Sequence, residues 1–282
     1  MNYGKRGASE KYKAAVSNSA KMYRKAFVIT FKVILICILA VVILGISAGV
    51  GLAKGIIDSA PDISQVDVSP SGYSTTIYDS SGNVITTLVA SGSNRIYVEI
   101  EEIPVDLQHA FVAIEDERFY THSGIDTKGI ARAAMVAITS KDFSQGASTI
   151  TQQLLKNNVF KDWTEETYLP EKLKRKIQEQ YLAVELEKTM SKQLILENYL
   201  NTINLGQNTL GVQAAAKRYF NKDVSELNLA ECAVIAAITQ NPSKYNPVTH
   251  PEYNEERRNK GLNTMLELEY ISNEQYDAAM AD

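Results

Sequence analysis

One polar cluster, Glu115 to Gly124, directly follows an apolar run and contains a carboxylate suited to proton transfer. Residues 110–114 are apolar, which places Glu115 at the inner end of an amphipathic helix. A carboxylate there is partly withdrawn from water, which makes it a better proton acceptor near neutral pH. Taken alone, the spacing is at least as typical of a solvated helix end whose acids are ordinary.

A second cluster, Gly146 to Asn157, places a glycine and then Ser148 and Thr149 ahead of a helix. Hydroxyls and backbone N–H groups at a helix N-terminus are suited to bind an anion. Gln153 and Lys156 are three residues apart and therefore share one helix face. The same pattern is common in capped helices that bind nothing, so this cluster is a candidate site only in combination with others.

A third cluster joins a carboxylate to cations. Arg175 and Glu179 lie one helical turn apart, as do Lys172 and Lys176. The arrangement suits a polyanionic group such as a diphosphate. A salt-bridged exposed helix is the more usual meaning of such a run.

A fourth cluster, within residues 192–207, mixes apolar positions with Glu197 and Asn201, which lie four residues apart. Its apolar positions alternate with these polar ones in a pattern typical of a packed helix. We therefore expect it to support the structure rather than to carry chemistry.

Charge is distributed unevenly along the chain. The 282 residues have a formal net charge of -4, with 45% hydrophobic and 22% charged residues, as in globular proteins. Residues 1–32 contain eight Lys or Arg and one Glu, a net of +7, which leaves -11 for the other 250 residues. An acidic body lacks the basic face that nucleic acids require, so we expect no nucleic-acid partner. The three histidines and two cysteines have no metal-ligand spacing, so no zinc or thiol centre is predicted.

An uninterrupted apolar stretch explains the basic tail. Residues 33–53 carry no charge, and at about 1.5 Å per residue they are long enough to cross a bilayer core of roughly 30 Å. A cleaved signal peptide has a shorter apolar region nearer the N-terminus, so we predict a retained transmembrane helix. The positive-inside rule then keeps residues 1–32 in the cytoplasm and puts the rest of the chain on the outer face of the membrane.

The elements that must position the four clusters follow the membrane span. The pattern of residues 54–100 predicts a connector with a β-hairpin that turns at residues 80–83. The pattern of residues 101–282 predicts a mainly helical domain. The predicted helices are Val105–Phe119, Thr127–Thr139, Ser148–Asn157, Glu171–Lys188, Lys192–Asn201, Leu227–Thr239, Tyr253–Leu268 and Glu274–Ala281.

Taken in this order after one N-terminal anchor, the clusters resemble the peptidoglycan glycosyltransferase domain of class A penicillin-binding proteins. The likeness covers about residues 70–280. The first motif consists of Glu115, Asp116, Phe119, His122 and Gly124. The second consists of Gly146, Ser148, Thr149, Ile150, Gln152, Gln153, Lys156 and Asn157. The third consists of Arg175, Lys176 and Glu179, and the fourth lies within residues 192–201.

The resemblance implies a fold and a reaction. The fold would be mainly α and lysozyme-like, with a small membrane-proximal lobe that takes up a lipid-linked substrate. The reaction would add lipid II to a growing lipid-linked glycan strand, with inversion to a β-1,4 linkage and release of polyprenyl diphosphate. Glu115 would be the general base that accepts the proton of the attacking hydroxyl.

The resemblance also assigns roles to the other motif residues. Lys156, Arg175 and Lys176 would neutralise the diphosphate leaving group. Glu179, the second catalytic carboxylate, would position these cations or a divalent Mg or Mn ion. The remaining substrate-binding residues would be Asp116, Phe119, His122, Ser148, Thr149, Gln152, Gln153 and Asn157.

The partners that the resemblance implies are the membrane, lipid II, the growing glycan strand, other cell-wall synthesis or division proteins, and a moenomycin-type inhibitor in the donor site. The segment Phe160–Leu173 is longer than the family usually has, so the flap over the donor site is expected to differ. No serine has a lysine three residues later and no Lys-Thr-Gly occurs, so no transpeptidase domain is expected in these residues. Because the last helix normally leads towards a next domain, we expect the chain to be part of a longer protein. Two alternatives stay open: a glycan-cleaving hydrolase on the same helical architecture, and a non-catalytic anchored module.

Overall fold

The computed structural model describes residues 4–73, 75–88, 94–140 and 146–282, and it divides into two units, Met1–Ser59 and Ala60–Asp282. Residues 74 and 89–93 of the predicted connector lie outside the described residues. The first unit is one helix, α1 (Lys5–Asp58). Within the described part of the chain, α1 is the helix long and apolar enough to cross a membrane.

Helix α1 extends beyond the predicted span of residues 33–53 at both ends. The basic tail is helical from Lys5, and the first residues of the predicted connector are helical as far as Asp58. Residues 5–58 contain no proline, and the tail is rich in Ala and Lys, which are strong helix formers. The connector therefore begins after the helix rather than directly after the apolar stretch.

The second unit opens with the predicted hairpin. Strands β1 (Thr75–Tyr78) and β2 (Val84–Leu88) pair antiparallel, with Thr76 opposite Thr87 and a register shift between Ile77 and Tyr78. The turn is closed by Asp79, whose side chain accepts hydrogen bonds from the backbone N–H groups of Ser81 and Asn83.

The rest of the second unit is helical, as the sequence predicts. Its helices are α2 (Val105–Glu115), α3 (Thr127–Ser140), α4 (Ile150–Asn158), α5 (Leu169–Thr189), α6 (Lys192–Thr202), α7 (Val212–Phe220), α8 (Leu229–Ala237), α9 (Pro251–Glu267) and α10 (Asn273–Ala281). Short 3-10 turns occur at Ile63–Gln65, Ile100–Glu102, Lys161–Thr164 and Val224–Glu226. Helix α7, which the sequence analysis does not include, is short and carries several polar residues.

The core is built around α8, the most apolar helix of the second unit. It packs against α2 and α9, while α4 packs against both α5 and α6. Cys232, Ala233 and Ile235 of α8 are fully buried. Between α2 and α6, the rings of Phe111 and Tyr199 meet edge to face with centroids 6.0 Å apart. This core fixes the ends of α2, α4 and α8 relative to one another.

Helix α2 ends four residues earlier than predicted, at Glu115 rather than Phe119. Asp116 leaves the helical backbone with φ -158° and ψ 70°. Its side chain accepts hydrogen bonds from the Ile150 N–H, at 3.0 Å, and from His122 Nε2, at 2.9 Å. These tertiary contacts outweigh the local helical preference, and they leave Glu115 at the helix end.

The fourth cluster supports the structure, as expected. Glu197 accepts hydrogen bonds from the Tyr97 hydroxyl and from the Ile100 N–H at 2.8 Å. Asn201 accepts from the Val98 N–H and donates to the Val98 carbonyl, at 3.0 and 2.8 Å. Together the two side chains of α6 hold the extended segment that precedes α2.

Candidate active site

Glu115 is held by three donors from three parts of the chain. Its side chain is 11% exposed. Oε1 accepts hydrogen bonds from Arg257 of α9, at 3.0 Å, and from the Thr239 hydroxyl just after α8. Oε2 accepts from the Gln153 amide of α4 at 2.8 Å. All three partners donate, so together they fix the orientation of the carboxylate.

A fully buried tyrosine orients the amide that faces Glu115. The Tyr199 hydroxyl lies 3.3 Å from Gln153 Oε1 and donates to it, so the amide nitrogen of Gln153 points to the carboxylate. Burial, and then the negative charges of Glu115 and Asp116, raise the pKa of Tyr199. The hydroxyl therefore keeps its proton, and the direction of this hydrogen bond is fixed.

Arg257 connects Glu115 to a second part of the site. Its Nη1 donates to Gln240 Oε1 at 2.8 Å, and its guanidinium carbon lies 5.2 Å from the centre of the Tyr245 ring. No pattern in the sequence marks Thr239 or Arg257 as part of a site. Arg257 falls in a charged run, residues 255–260, which on its own is typical of a solvated helix face.

A cavity of about 840 Å³ opens on Glu115. Four of the predicted site residues line it: Glu115, Ser148, Gln153 and Lys156. Other parts of the lining carry cations that the sequence analysis does not single out: Arg132, Lys244, Arg257 and Lys260. The cavity therefore combines a carboxylate that can accept a proton with basic groups that suit an anionic substrate.

The third sequence cluster folds into one ion-pair group on α5, centred on a buried carboxylate. Glu179 is fully buried, which argues against the alternative of an exposed salt-bridged helix. One of its carboxylate oxygens accepts from Arg175 and the other from Lys176, the latter at 2.9 Å. Lys176 also donates to Ser148 at 2.6 Å, and Ser148 lines the cavity. The group is thus connected to the cavity through Ser148.

Lys156 lies between Glu115 and this ion-pair group. Burial lowers the pKa of Lys156, and the charges of Glu179, Lys176, Arg175 and Glu115 all act on it. The two carboxylates favour its charged form and the two neighbouring cations disfavour it. An anion bound here would relieve that repulsion, which makes the Lys156 ammonium a suitable counter-charge for a phosphate group.

The surroundings of Glu179 do not fit the expected divalent ion. Both carboxylate oxygens are engaged by cationic side chains, which would repel Mg or Mn. Within the described residues, no group of three or more metal-ligating side chains occurs. Of the two roles that the resemblance gives Glu179, the contacts favour the positioning of Arg175 and Lys176.

Several of the predicted substrate-binding residues do not line the cavity. Phe119, Thr149 and Gln152 are buried, with relative exposures of 0%, 1% and 1%. Phe119 belongs to the hydrophobic core. Thr149 caps α4 and donates to the Gly124 carbonyl at 2.8 Å, and Gln152 donates to the same carbonyl at 3.3 Å. Thr149 and Gln152 thus support the start of α4 and Phe119 packs in the core, while their contact with substrate stays a prediction.

Asp116, His122 and Asn157 do not line this cavity either, and their substrate-binding roles stay predictions. Asp116 and His122 bind each other, and the Gly124 N–H donates to His122 Nδ1 at 3.2 Å. Nε2 then carries the proton that His122 donates to Asp116. Asn157 is half-buried and does not line the cavity. The motif pattern indicates that these residues belong to the site, but it does not distinguish contact with a ligand from support.

Sequence comparisons assign most of the second unit to a known family. A sequence model of the family described as Transglycosylase matches residues 81–266. Penicillin-binding protein 1A of Clostridium novyi is 43% identical over 242 residues, which are 83% of this chain and 28% of that protein. Penicillin-binding protein 1A of Haemophilus influenzae is 47% identical over 206 residues, which are 73% of this chain and 23% of that protein.

A solved structure is also similar. It is the 2.6 Å crystal structure of penicillin-binding protein 1A from Haemophilus influenzae, with a TM-score of 0.42 and 28% sequence identity, covering 75% of this chain and 20% of that one. The present chain thus spans less than a third of the length of each of these relatives.

Proposed function

Because the chain belongs to the transglycosylase family, we propose that its second unit polymerises lipid II into β-1,4-linked peptidoglycan strands, with inversion and release of polyprenyl diphosphate. The observation that carries this proposal is the placement of Glu115. The carboxylate lies at a cavity wall, held by three donors, and the charge of Lys156 interacts both with it and with Arg175, Lys176 and Glu179. A proton acceptor beside a polyanion site is what this reaction requires.

The chemistry at Glu115 is general-base catalysis. The 4-hydroxyl oxygen of the acceptor sugar attacks the anomeric carbon of the donor, and the bond from that carbon to the diphosphate oxygen breaks. The hydroxyl proton passes to Glu115. Oε2 accepts one protein hydrogen bond, from Gln153, and so retains a lone pair for this proton.

The leaving group needs counter-charge rather than a proton. Retaining and inverting glycosidases both use a pair of carboxyl groups, one of which protonates the leaving-group oxygen. Glu179 is fully buried and both of its carboxylate oxygens accept hydrogen bonds from cationic side chains, so it is not placed to reach and protonate a leaving group. Lys156, Arg175 and Lys176 suit a diphosphate instead, which favours the transferase over the hydrolase. A moenomycin-type inhibitor is proposed to bind in the donor site beside these cations.

The apolar helix α1 supports attachment to the membrane. We propose a single-pass topology with residues 1–32 in the cytoplasm and the second unit on the outer face, where the lipid-linked substrates are presented. Other cell-wall synthesis or division proteins are proposed as partners on the strength of the family alone. No divalent ion is assigned a step.

The test is lipid II polymerisation by wild type and Glu115→Gln, with and without EDTA. The amide cannot accept the proton, so we expect kcat to fall at least about a hundredfold, the lower range for removal of a general base. Glu117→Gln is the control, because Glu117 lines the same cavity but pairs with Arg118 and Arg132. Full activity of Glu115→Gln would refute the assigned base.

The same assay separates the alternative functions. Chains that lengthen from lipid II, with preformed glycan left intact, support the transferase. Shortening of preformed glycan would indicate the hydrolase, and an inactive wild-type protein would favour the non-catalytic module.

A further inference from the structure

The segment between α4 and α5, residues 159–168, lies against the cations of the site. We call it the strap. It contains the 3-10 turn Lys161–Thr164 and leads directly into α5. Two of its side chains, Trp163 and Glu166, contact the cations assigned above to the diphosphate.

The first contact is an ion pair between Glu166 and Arg175. Arg175 Nε lies 2.9 and 2.8 Å from the two carboxylate oxygens of Glu166. The Arg175 side chain is 13% exposed and that of Glu166 is 18% exposed, so the pair is largely withdrawn from water. A carboxylate and a phosphate present the same kind of paired oxygen acceptors to a guanidinium. Glu166 thus takes up donor capacity that a phosphate would use.

The second contact covers Lys156. Its Nζ lies 4.3 Å from the centre of the Trp163 ring, and the guanidinium carbon of Arg175 lies 6.0 Å from it. Both distances are within the range of cation–π attraction. The ring therefore stabilises the same two cations from the strap side.

Glu166 changes the net charge of the cation group that would bind the diphosphate. Lys156, Arg175 and Lys176 are balanced by Glu179, which is fully buried, and by Glu166. The group as it stands has one net positive charge, whereas without Glu166 it would have two. A diphosphate carries at least two negative charges, so the group matches it only when the Glu166 carboxylate has moved away.

We propose that Glu166 is an internal occupant of the diphosphate subsite. A substrate phosphate must displace the Glu166 carboxylate from Arg175 in order to bind. Glu166 therefore sets the affinity for lipid diphosphates. The inference rests on the proposed function, since it takes the diphosphate to be the ligand of this group. Displacement is a competition between two anions and breaks no covalent bond. Glu166 lowers affinity without taking part in the chemical step.

The test measures binding of inorganic pyrophosphate to the detergent-solubilised chain. Trp163 is the single tryptophan of the sequence, so intrinsic tryptophan fluorescence reports on the strap itself. We expect pyrophosphate to change the emission of wild type, and Glu166→Gln to bind it with a Kd about three- to tenfold lower, since an ion pair no longer competes. Glu165→Gln is the matched control, because it removes the same charge at the adjacent exposed position.

Several outcomes would overturn the proposal. These are an unchanged Kd in Glu166→Gln, no measurable pyrophosphate binding in either protein, or an equal gain in Glu165→Gln. A pyrophosphate complex that retains the Arg175–Glu166 pair would do the same. The pyrophosphate-binding assay does not require turnover, so this proposal can fail in an enzyme that still polymerises lipid II. The proposed function fails only if the wild-type protein does not polymerise lipid II. In an active enzyme the KM for lipid II should fall in Glu166→Gln and should not change in Glu165→Gln.

Discussion

Arg257 positions the carboxylate of Glu115, the proposed general base. It donates to Oε1, while Gln240 and the Tyr245 ring hold its guanidinium in place. The side chain is 15% exposed, so its charge is only weakly screened by water. The direction in which Glu115 points therefore depends on a residue 142 positions away in the sequence.

Substitution of Arg257 should lower kcat more than it raises KM. Arg257→Ala leaves Glu115 with two donors and frees the carboxylate to turn, so we expect kcat to fall about tenfold to a hundredfold. Arg257→Lys should recover part of the loss, because it keeps the charge but lacks the planar fork that bonds Gln240 and Glu115 through two separate nitrogens. Steady-state kinetics with lipid II measure the effects on kcat and on KM separately. A change confined to KM would show that Arg257 binds substrate rather than positions the base.

Lys156 should give substrate affinity an alkaline limit. Burial lowers its pKa, so the ammonium loses its proton at a lower pH than an exposed lysine does. Above that pH the diphosphate loses a counter-charge, and the KM for lipid II should rise. In Lys156→Arg the charge persists, and the rise should move to higher pH.

The measurement is KM from neutral pH to about pH 10, where ordinary lysines begin to titrate. Lys172→Arg is the control, since Lys172 is an exposed residue of the first turn of α5. Identical alkaline profiles in wild type and Lys156→Arg would contradict the role of Lys156 as a titrating counter-charge.

At the scale of elements, Gly124 sets how closely the loop after α2 approaches α5. Its φ is +86°, and an added Cβ would lie 2.5 Å from the carbonyl carbon and oxygen of Ala183. The Gly124 carbonyl accepts from Thr149 and Gln152 at the start of α4. A displaced loop would therefore also displace the helix that carries Gln153 and Lys156.

Gly124→Ala should be strongly destabilising. Left-handed strain of about 1–2 kcal/mol adds to an overpacking cost of about 1–3 kcal/mol. For a domain of this size we expect the Tm of the solubilised chain to fall by about 5–15 °C. Gly82→Ala separates the two causes, because Gly82 has φ +83° with open space around it and should show the strain alone. Equal shifts in the two variants would rule out the contact with Ala183 as the cause.

Sequence periodicity predicts the elements well and the contacts between them poorly. The pair of Arg175 and Glu179 follows from helical spacing within one element, and the hairpin turn follows from its local residues. The contact of Thr239 with Glu115 spans 124 positions and exists only because α8 packs against α2. No periodicity marks the strap, so the contact of Glu166 with Arg175 is not predictable from pattern.

The buried motif residues show a second limit. Asp116 and His122 have the residue types of a catalytic pair, but their side chains bind each other and the first turn of α4. Residue type does not say whether a polar group faces a cavity or the interior. Only the early end of α2 and the packing of α4 decide that.

At the scale of the whole molecule, charge divides the chain in two. The net charge is +7 over residues 1–32 and -11 over the rest. Lys156, Arg175 and Lys176 are therefore a local concentration of positive charge in an acidic body. Because interactions between exposed charges are screened beyond about 8 Å at physiological salt, short contacts at this group must supply the affinity for an anionic substrate.

The basic tail should determine the orientation of the chain in the membrane. Positive charges within about 15–20 residues of a span dominate the topology signal. Neutralising the four nearest the span, Lys21, Arg24, Lys25 and Lys32, to Gln should raise the fraction of inverted molecules, because Lys54 then becomes the nearest positive charge. The matched control neutralises the four distal residues, Lys5, Arg6, Lys11 and Lys13, and should have a smaller effect. Protease added to intact spheroplasts should digest the second unit of wild type and leave it protected in inverted molecules. An equal fraction of inverted molecules in the two variants would argue against control of orientation by the charges nearest the span.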